Sequence, residues 1–164
     1  MPFLSAKDCQ KIGRVENIKA DWKANGVSTD SRLAQSENLF FAIRGEKFDG
    51  HDFIKDLMQD GAAGCVVSEE WFSKNKNQFV GGKFVVVNDP LQALQAMAKN
   101  HRQKFETSVV AITGTNGKTT CKEMTYAVLS NAFNTIATQG NLNNEIGVPL
   151  TLLRMDEQTQ VAII

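Results

Sequence analysis

The sequence contains few cysteines, no excess of either charge and no long hydrophobic run. Its three cysteines, Cys9, Cys65 and Cys121, are an odd number without a C-x-x-C pair. They argue against a disulfide framework and a cysteine zinc site, and they suit a reducing cytoplasm. Lys plus Arg and Asp plus Glu number 18 each, so the net charge is zero and no global field attracts nucleic acid or a membrane. No apolar run approaches the roughly 18 residues of a membrane span, and no signal peptide is found. Any anion site must therefore be local.

Length and composition predict an ordinary globular protein. The 164 residues suffice for one domain or two small ones. Hydrophobic residues make up 42% and charged residues 22%, which excludes disorder and fibrous repeats. We expect a buried core, to which all ten phenylalanines contribute, among them Phe40, Phe41, Phe53, Phe79 and Phe84.

Strand and helix patterns alternate along the chain. In the first part, apolar runs predict strands, helical spacing predicts a helix, and Asp89-Pro90 marks the start of a second helix. These elements are strands at 39–43, 65–67 and 84–87, a helix at 53–58 and a helix at 90–105. His101 lies on the apolar face of the second helix, so we expect it to be packed.

A second part follows the polar break at Glu106-Thr107. The near-continuous apolar run at 108–113 predicts a strand buried on both faces. The remaining predicted elements are a helix at 118–130 with Cys121, Met124 and Val128 inward, a strand at 135–137, a helix at 147–154 and a strand at 160–164. This order predicts an α/β fold: a small N-terminal α/β domain at 1–106 and the start of a P-loop parallel-sheet domain at 107–164.

The most informative motif lies between the strand at 108–113 and the helix after it. Gly114-Thr115-Asn116-Gly117-Lys118-Thr119-Thr120 has the composition and context of a phosphate-binding loop. Glycines allow backbone N–H groups to converge on phosphate oxygens, and the helix N-terminus adds partial positive charge. Lys118 can contact the β- and γ-phosphates and Thr119 can ligate Mg²⁺. Since Ile112 replaces the first glycine of the usual eight-residue pattern, this is a shorter variant. No guanine-reading Asn-Lys-x-Asp segment is present, which argues against a GTPase.

Several separate motifs resemble the Mur ligases of peptidoglycan synthesis. Besides the loop at 114–120, they are Thr29-Asp-Ser-Arg32, Leu39-Phe-Phe-Ala-Ile-Arg-Gly45, Asp49-Gly-His-Asp-Phe53, Gly61-Ala-Ala63, Lys122-Glu-Met-Thr125 and Gly140-Asn-Leu-Asn-Asn-Glu-Ile-Gly-Val-Pro-Leu-Thr-Leu-Leu153. Within the family, the sequence is most similar to the ligases that add D-alanyl-D-alanine to UDP-N-acetylmuramoyl-tripeptide. The resemblance implies ATP and Mg²⁺ as cofactors, an acyl-phosphate intermediate and those two compounds as substrates.

The resemblance also implies roles for individual residues. Gly114 to Thr120 bind ATP, with Lys118 and Thr119 in catalytic roles and Thr119 on the metal. For the UDP-linked substrate it implies contacts from Ser31, Arg32, Asn141, Asn143 and Asn144. Two alternatives stay open: the asparagines form a turn that caps the next helix, and Arg32 lies in a surface turn. For His51, capping by Asp49 or Asp52 is at least as good an interpretation as substrate contact.

Other functions and the extent of the chain also remain open. The runners-up are the sister ligase that adds the third peptide residue and a non-catalytic nucleotide- or UDP-sugar-binding module. The resemblance implies further domains after residue 164, so we expect a truncated chain that is inactive alone. Self-association through an unpaired strand edge at 159–164 would then follow.

Overall fold

A computed structural model describes residues 4–32, 37–140 and 142–164. Contacts divide the chain into two compact units, one extending to Met97 and the other comprising Ala98–Ile164. The division falls within a helix, and the domain boundary near residue 106 stays a prediction. Each unit is described by itself.

The first unit is built on a five-stranded sheet. Its elements, in chain order, are β1 Leu4–Ser5, α1 Ala6–Gln10, β2 Arg14–Glu16, β3 Lys23–Ala24, β4 Gly26–Ser28, β5 Asn38–Phe41, a 3-10 helix Gly50–Phe53, α2 Ile54–Gln59, β6 Gly64–Ser68, α3 Glu69–Asn75, a 3-10 helix Lys76–Gln78 and β7 Phe84–Val87. The sheet order is β2-β7-β6-β5-β4, with β2 antiparallel to β7 and the other neighbours parallel. A separate two-stranded sheet pairs β1 with β3.

Apolar strands form the core of this unit. Every residue of β7 is buried, as expected of a central strand covered on both faces. Phe40 and Phe84 are 1% exposed, and they join Ile54 and Leu57 of α2 in one hydrophobic cluster. The predicted strands at 39–43, 65–67 and 84–87 are therefore found, with small differences at their ends.

Helix α4, Pro90–Arg102, begins where the sequence predicts. Asp89 Oδ1 accepts the backbone N–H of Leu91 at 2.8 Å, so Asp89 supplies the expected cap. His101 is 3% exposed. Its ring packs edge-on against Phe105 and its Nε2 lies 2.9 Å from the carbonyl oxygen of Met155, which confirms a packed histidine.

The second unit contains a three-stranded parallel sheet. Its elements are β8 Ser108–Val110, α5 Lys118–Leu129, β9 Thr135–Ala137, α6 Gly147–Leu152 and β10 Val161–Ile163. The order is β8-β10-β9, which places β10 in the centre, bonded on both sides. The predicted free edge at 159–164 is therefore wrong, because residues 161–163 already have a strand on each side. The edges of this described sheet are β8 and β9.

Two burial predictions for this unit are also wrong. Strand β8 is shorter than the run at 108–113 and leaves Val109 39% exposed, since it is an edge strand. On α5, Met124 is 66% exposed, Val128 is 69% exposed and Cys121 is exposed. The helix instead buries Lys122, whose ammonium bonds to carbonyls beside β9 and so fixes the rotation of the helix. Periodicity alone assigned the wrong face.

Within the described residues, no helix combines the length and the apolar character needed to cross a membrane.

Candidate nucleotide and substrate sites

The phosphate loop Gly114–Thr120 lies after strand β8 and includes the first three residues of helix α5, in the order that the sequence predicts. Helix α5 begins at Lys118 with Gly117 as its N-cap residue, and Gly117 has φ +76°, in the left-handed region. A side chain is disfavoured in that conformation, so a glycine is required for the chain to turn directly into the helix. The N–H groups of the first helical turn have no acceptor within the helix and are available to an anion.

Lys118 and Thr119 lie in this first helical turn. Lys118 Nζ donates to the carbonyl oxygen of Gly114 at 2.5 Å, so its ammonium lies across the loop. Thr119 is exposed, and both residues line a small cavity with Lys122, Thr138 and Asn143. The structure thus brings together three of the predicted site residues, Lys118, Thr119 and Asn143. Thr115, Asn116 and Thr120 are exposed on the same loop.

The asparagine segment before α6 shows two different environments. Asn144 Oδ1 accepts the N–H of Gly147 at 2.8 Å and that of Ile146 at 3.3 Å, which is the capping arrangement left open by the sequence. Asn143 is exposed and lines the cavity beside Lys118 and Thr119. Asn141 lies outside the described residues. Contacts of all three with substrate stay predictions.

Gly147 holds this segment close to α6. A Cβ atom added at Gly147 would lie 2.2 Å from the carbonyl oxygen of Leu142, so only glycine allows the close approach. The path of the chain between Leu142 and Gly147 therefore depends on backbone packing as well as on the Asn144 cap.

In the first unit, the predicted residues Ser31 and Arg32 line a cavity of about 460 Å³. Its other walls combine polar groups from the turn after β4 with aromatic and aliphatic side chains: Thr29, Asp30, Phe40, Ile43, Phe48, Gly50 and Phe53. Phe48 is 73% exposed, which is unusual for a large apolar side chain. A mixed apolar and polar lining of this size is typical of a small-molecule site.

Arg32 is held by its own turn. Its Nε and Nη2 donate to the two carboxylate oxygens of Asp30 at 2.9 and 2.7 Å. These hydrogen bonds lower the pKa of Asp30 to about 2. The Arg32 side chain is 85% exposed, in agreement with the surface turn that the sequence left open. A phosphate at this guanidinium would have to share it with Asp30 or displace that carboxylate.

His51 has a structural environment near the same cavity. Asp49 Oδ1 accepts the backbone N–H of His51 at 3.0 Å, which confirms capping by Asp49. The His51 ring lies between Asp49 Oδ1, 2.5 Å from Nδ1, and the backbone N–H of Ser68, which donates to Nε2 at 3.0 Å. Because a backbone N–H can only donate, Nε2 accepts and Nδ1 carries the proton.

The carboxylate of Asp49 is stabilised in its charged form. Burial alone would raise the pKa of Asp49, but hydrogen bonds from the His51 backbone, the His51 ring and Arg44 outweigh burial. The pKa of Asp49 therefore lies below its usual value. This ion-paired turn orders the 3-10 helix that contributes Gly50 and Phe53 to the cavity.

Sequence reasoning gave no role to two residues that the geometry singles out. Lys122 is four residues from Lys118, a spacing that places both on one face of a helix, and this spacing was the available signal. The expectation that every phenylalanine lies in the core is wrong for Phe48 and Phe133, which are 73% and 45% exposed, and no periodicity distinguishes them. Among the described residues, no group of three His, Cys, Asp or Glu side chains is arranged to hold a metal ion. Thr119 as a metal ligand stays a prediction.

Two family models match this chain. The Mur ligase family catalytic domain matches residues 23–102, and the Mur ligase middle domain matches residues 112–164. The chain belongs to the Mur ligase family. The first match includes the residues that line the cavity beside Ser31 and Arg32, and the second includes the phosphate loop.

Individual relatives agree with this assignment. A UDP-N-acetylmuramoyl-tripeptide–D-alanyl-D-alanine ligase of Bacillus subtilis is 40% identical over 140 residues, covering 85% of this chain and 30% of the relative. A crystal structure of MurF from Acinetobacter baumannii superposes with a TM-score of 0.87 at 30% identity, covering 100% of this chain and 36% of that one. MurF ligase from Thermotoga maritima in complex with ADP gives a TM-score of 0.70 at 28% identity, covering 84% and 31%. The Mur ligase chain thus spans about a third of the length of these relatives.

Proposed function

We propose that this Mur ligase chain provides the UDP-substrate site and the ATP-binding loop of a ligase that joins D-alanyl-D-alanine to UDP-N-acetylmuramoyl-tripeptide. The observation that carries the proposal is the loop Gly114–Thr120, with the Lys118 ammonium held across it at the N-terminus of α5. A relative of similar fold is named as a complex with ADP, which supports adenine nucleotide as the ligand. The named relatives favour the D-alanyl-D-alanine ligase over the sister ligase that adds the third peptide residue.

ATP and Mg²⁺ fit the residues present at the loop. Backbone N–H groups at 117–120 and the helix N-terminus favour phosphate oxygens, and Lys118 can exchange its Gly114 carbonyl for a phosphate. Thr119 offers a hydroxyl as a ligand for Mg²⁺, whose preferred ligands are oxygen atoms. The metal would supply neutralisation of phosphate charge, and Lys118 adds a positive charge where negative charge develops.

The UDP-linked substrate fits the cavity of the first unit. Phe48 offers an exposed aromatic face on which a pyrimidine can stack, and the turn at Ser31 and Arg32 offers a hydroxyl and a guanidinium to the diphosphate. In the proposed reaction, the tripeptide carboxylate is activated by phosphoryl transfer and the dipeptide amine then displaces phosphate. The two sites of this chain bind and orient the reactants for that chemistry.

We place this function in the cytoplasm. The cysteines Cys9, Cys65 and Cys121 are all free thiols, which fits a reducing compartment. Burial raises the pKa of Cys9 and of Cys65 to about 12, so neither is a reactive thiolate.

Calorimetric titration of the 164-residue chain tests the proposal. We expect the chain to bind the Mg²⁺ complex of AMP-PNP and, separately, UDP-N-acetylmuramoyl-tripeptide. It should bind GTP and UDP-glucose much more weakly. Binding of nucleotide with no response to the muramoyl compound would reduce the proposal to a nucleotide-binding module, and failure to bind either ligand would refute it.

A further inference from the structure

Lys122 is a buried lysine whose ammonium lies within 3.1 Å of three oxygen atoms and makes two hydrogen bonds. It is 5% exposed. Its Nζ donates to the carbonyl oxygens of Thr138 at 2.6 Å and Gly140 at 2.9 Å, and Glu123 Oε1 lies 3.1 Å away. An ammonium removed from water is costly unless such partners replace it. The arrangement therefore specifies where residues 138–140 lie relative to α5.

The two ends of this contact belong to the two parts of the proposed active site. Lys122 follows the phosphate-loop residues Lys118 and Thr119 on the same face of α5. Thr138 and Gly140 lie directly after strand β9. The asparagine segment, residues 141–144, follows them in the chain. Lys118, Thr119, Lys122 and Asn143 line one small cavity. A single side chain thus ties the helix that would hold nucleotide to the segment that would hold substrate.

Both ends of the segment 138–144 also have contacts that do not involve Lys122. Thr138 N–H donates to the carbonyl oxygen of Ile163 at 3.0 Å, and Asn144 caps the start of α6. Between these anchors, Gly140 turns the chain with φ +51°. The hydrogen bonds from Lys122 to the carbonyl oxygens of Thr138 and Gly140 hold this turn to α5.

We propose that Lys122 is a positioning residue that couples the phosphate loop to the segment 138–144. Occupation of the loop by nucleotide restrains α5, and through the Lys122 bonds it also restrains the asparagine segment. This inference rests on the proposed function, because it needs nucleotide at Lys118 and Thr119. If Lys122 had only a structural role, it would stabilise the second unit, but the structural order of segment 138–144 would not depend on nucleotide.

Hydrogen exchange measured by mass spectrometry on the 164-residue chain separates the two roles. In the wild type, we expect the Mg²⁺ complex of AMP-PNP to slow exchange at 114–121 and at 138–147. In Lys122→Met, which keeps a similar length but has no donor, nucleotide should still slow exchange at 114–121. The nucleotide-dependent slowing at 138–147 should fall by at least about tenfold, since two charge-assisted hydrogen bonds are lost.

Two further variants complete the test. Lys122→Arg keeps a cation with several donors and should restore at least part of the slowing at 138–147. Lys99→Met removes an exposed lysine of α4 and should behave as the wild type. Should circular dichroism show Lys122→Met to be unfolded, Lys122→Gln takes its place with the same expectations.

The outcomes distinguish this inference from the proposed function. If Lys122→Met binds nucleotide and retains the slowing at 138–147, the coupling role is overturned and the proposed function stands. If nucleotide binds the wild type without affecting 138–147, the coupling role is overturned in the same way. If the wild type does not bind AMP-PNP at all, both are overturned.

Discussion

The ammonium of Lys118 lies 2.5 Å from the carbonyl oxygen of Gly114, the residue at the other end of the same loop. The cation is therefore already positioned over the turn where a phosphate would bind, and its partner is a neutral carbonyl. Exchange of that carbonyl for a phosphate oxygen replaces a charge–dipole contact by a charge–charge contact. This relationship gives the first prediction.

Lys118→Met should weaken binding of the Mg²⁺ complex of AMP-PNP by at least about tenfold, since a hydrogen bond to a charged group contributes about 1.5–3 kcal/mol. The thermal midpoint should change little, because only one contact to an exposed loop is lost. Isothermal titration calorimetry measures the affinity, with Lys99→Met as the matched control. Unchanged affinity in Lys118→Met would show that the ammonium does not contact the nucleotide.

Gly117→Ala should reduce both stability and nucleotide affinity. Nothing lies within 4 Å of a Cβ atom added there, so the cost comes from φ +76° alone, about 1–2 kcal/mol for a left-handed residue. Gly81, with φ +80° and the same open surroundings, lies in the first unit and is a matched control. Gly81→Ala should lower thermal stability similarly but leave nucleotide affinity unchanged. Equal affinity losses in both variants would mean that the effect at Gly117 is general destabilisation.

The α/β fold could be predicted where the sequence contains strong local signals. The apolar run at 84–87 and the Asp89-Pro90 helix start both match the structure, because a buried parallel strand and an N-terminal cap depend on few residues. The strands at 14–16 and 26–28 were missed, since three residues are too few to show a period. Their place in the sheet depends on pairing with distant strands.

The candidate sites could be predicted only in part, for a similar reason. The phosphate loop is contiguous in sequence, so its glycines and lysine are recognisable together. The roles of Lys122 and Phe48 can be recognised only from the tertiary structure. A lysine usually faces solvent and a phenylalanine usually faces the core, but here Lys122 is buried and Phe48 is exposed. The inward lysine also explains why Met124 and Val128 lie on the exposed face of α5.

Asp49→Asn should lower the free energy of unfolding of the first unit at pH 7 by about 1 kcal/mol. The folded-state pKa of Asp49 lies below its usual value of 3.8, so its charge stabilises the fold above about pH 4 and this contribution is lost as the pH falls through the lower folded pKa. Asn can still accept the His51 N–H, so the variant removes the charge and not the cap. The stability difference should therefore shrink as the pH falls below about 4.

Urea unfolding followed by tryptophan fluorescence measures this effect in the right unit. The only tryptophans, Trp22 and Trp71, both lie in the first unit, and the Trp71 ring is 5.5 Å from the His51 ring. Asp21→Asn, at an exposed aspartate of the same unit, is the control and should change the free energy of unfolding little. A difference between Asp49→Asn and the wild type that stays constant from pH 7 to pH 3 would contradict the assigned pKa direction.

Phe48→Ala should weaken binding of UDP-N-acetylmuramoyl-tripeptide by about fivefold or more, because stacking of a base on an aromatic ring contributes about 1–3 kcal/mol. Stability should change little, since Phe48 is 73% exposed. Phe133→Ala removes another exposed phenylalanine, 45% exposed and located in the second unit, and should not alter this affinity. Calorimetric titration with UDP alone measures the contribution of the base and the diphosphate. If Phe48→Ala loses as much affinity for UDP as for the full substrate, the phenylalanine ring contacts the nucleotide end of the substrate. If Phe48→Ala binds both ligands as the wild type does, the cavity beside Ser31 and Arg32 is not the uridine site.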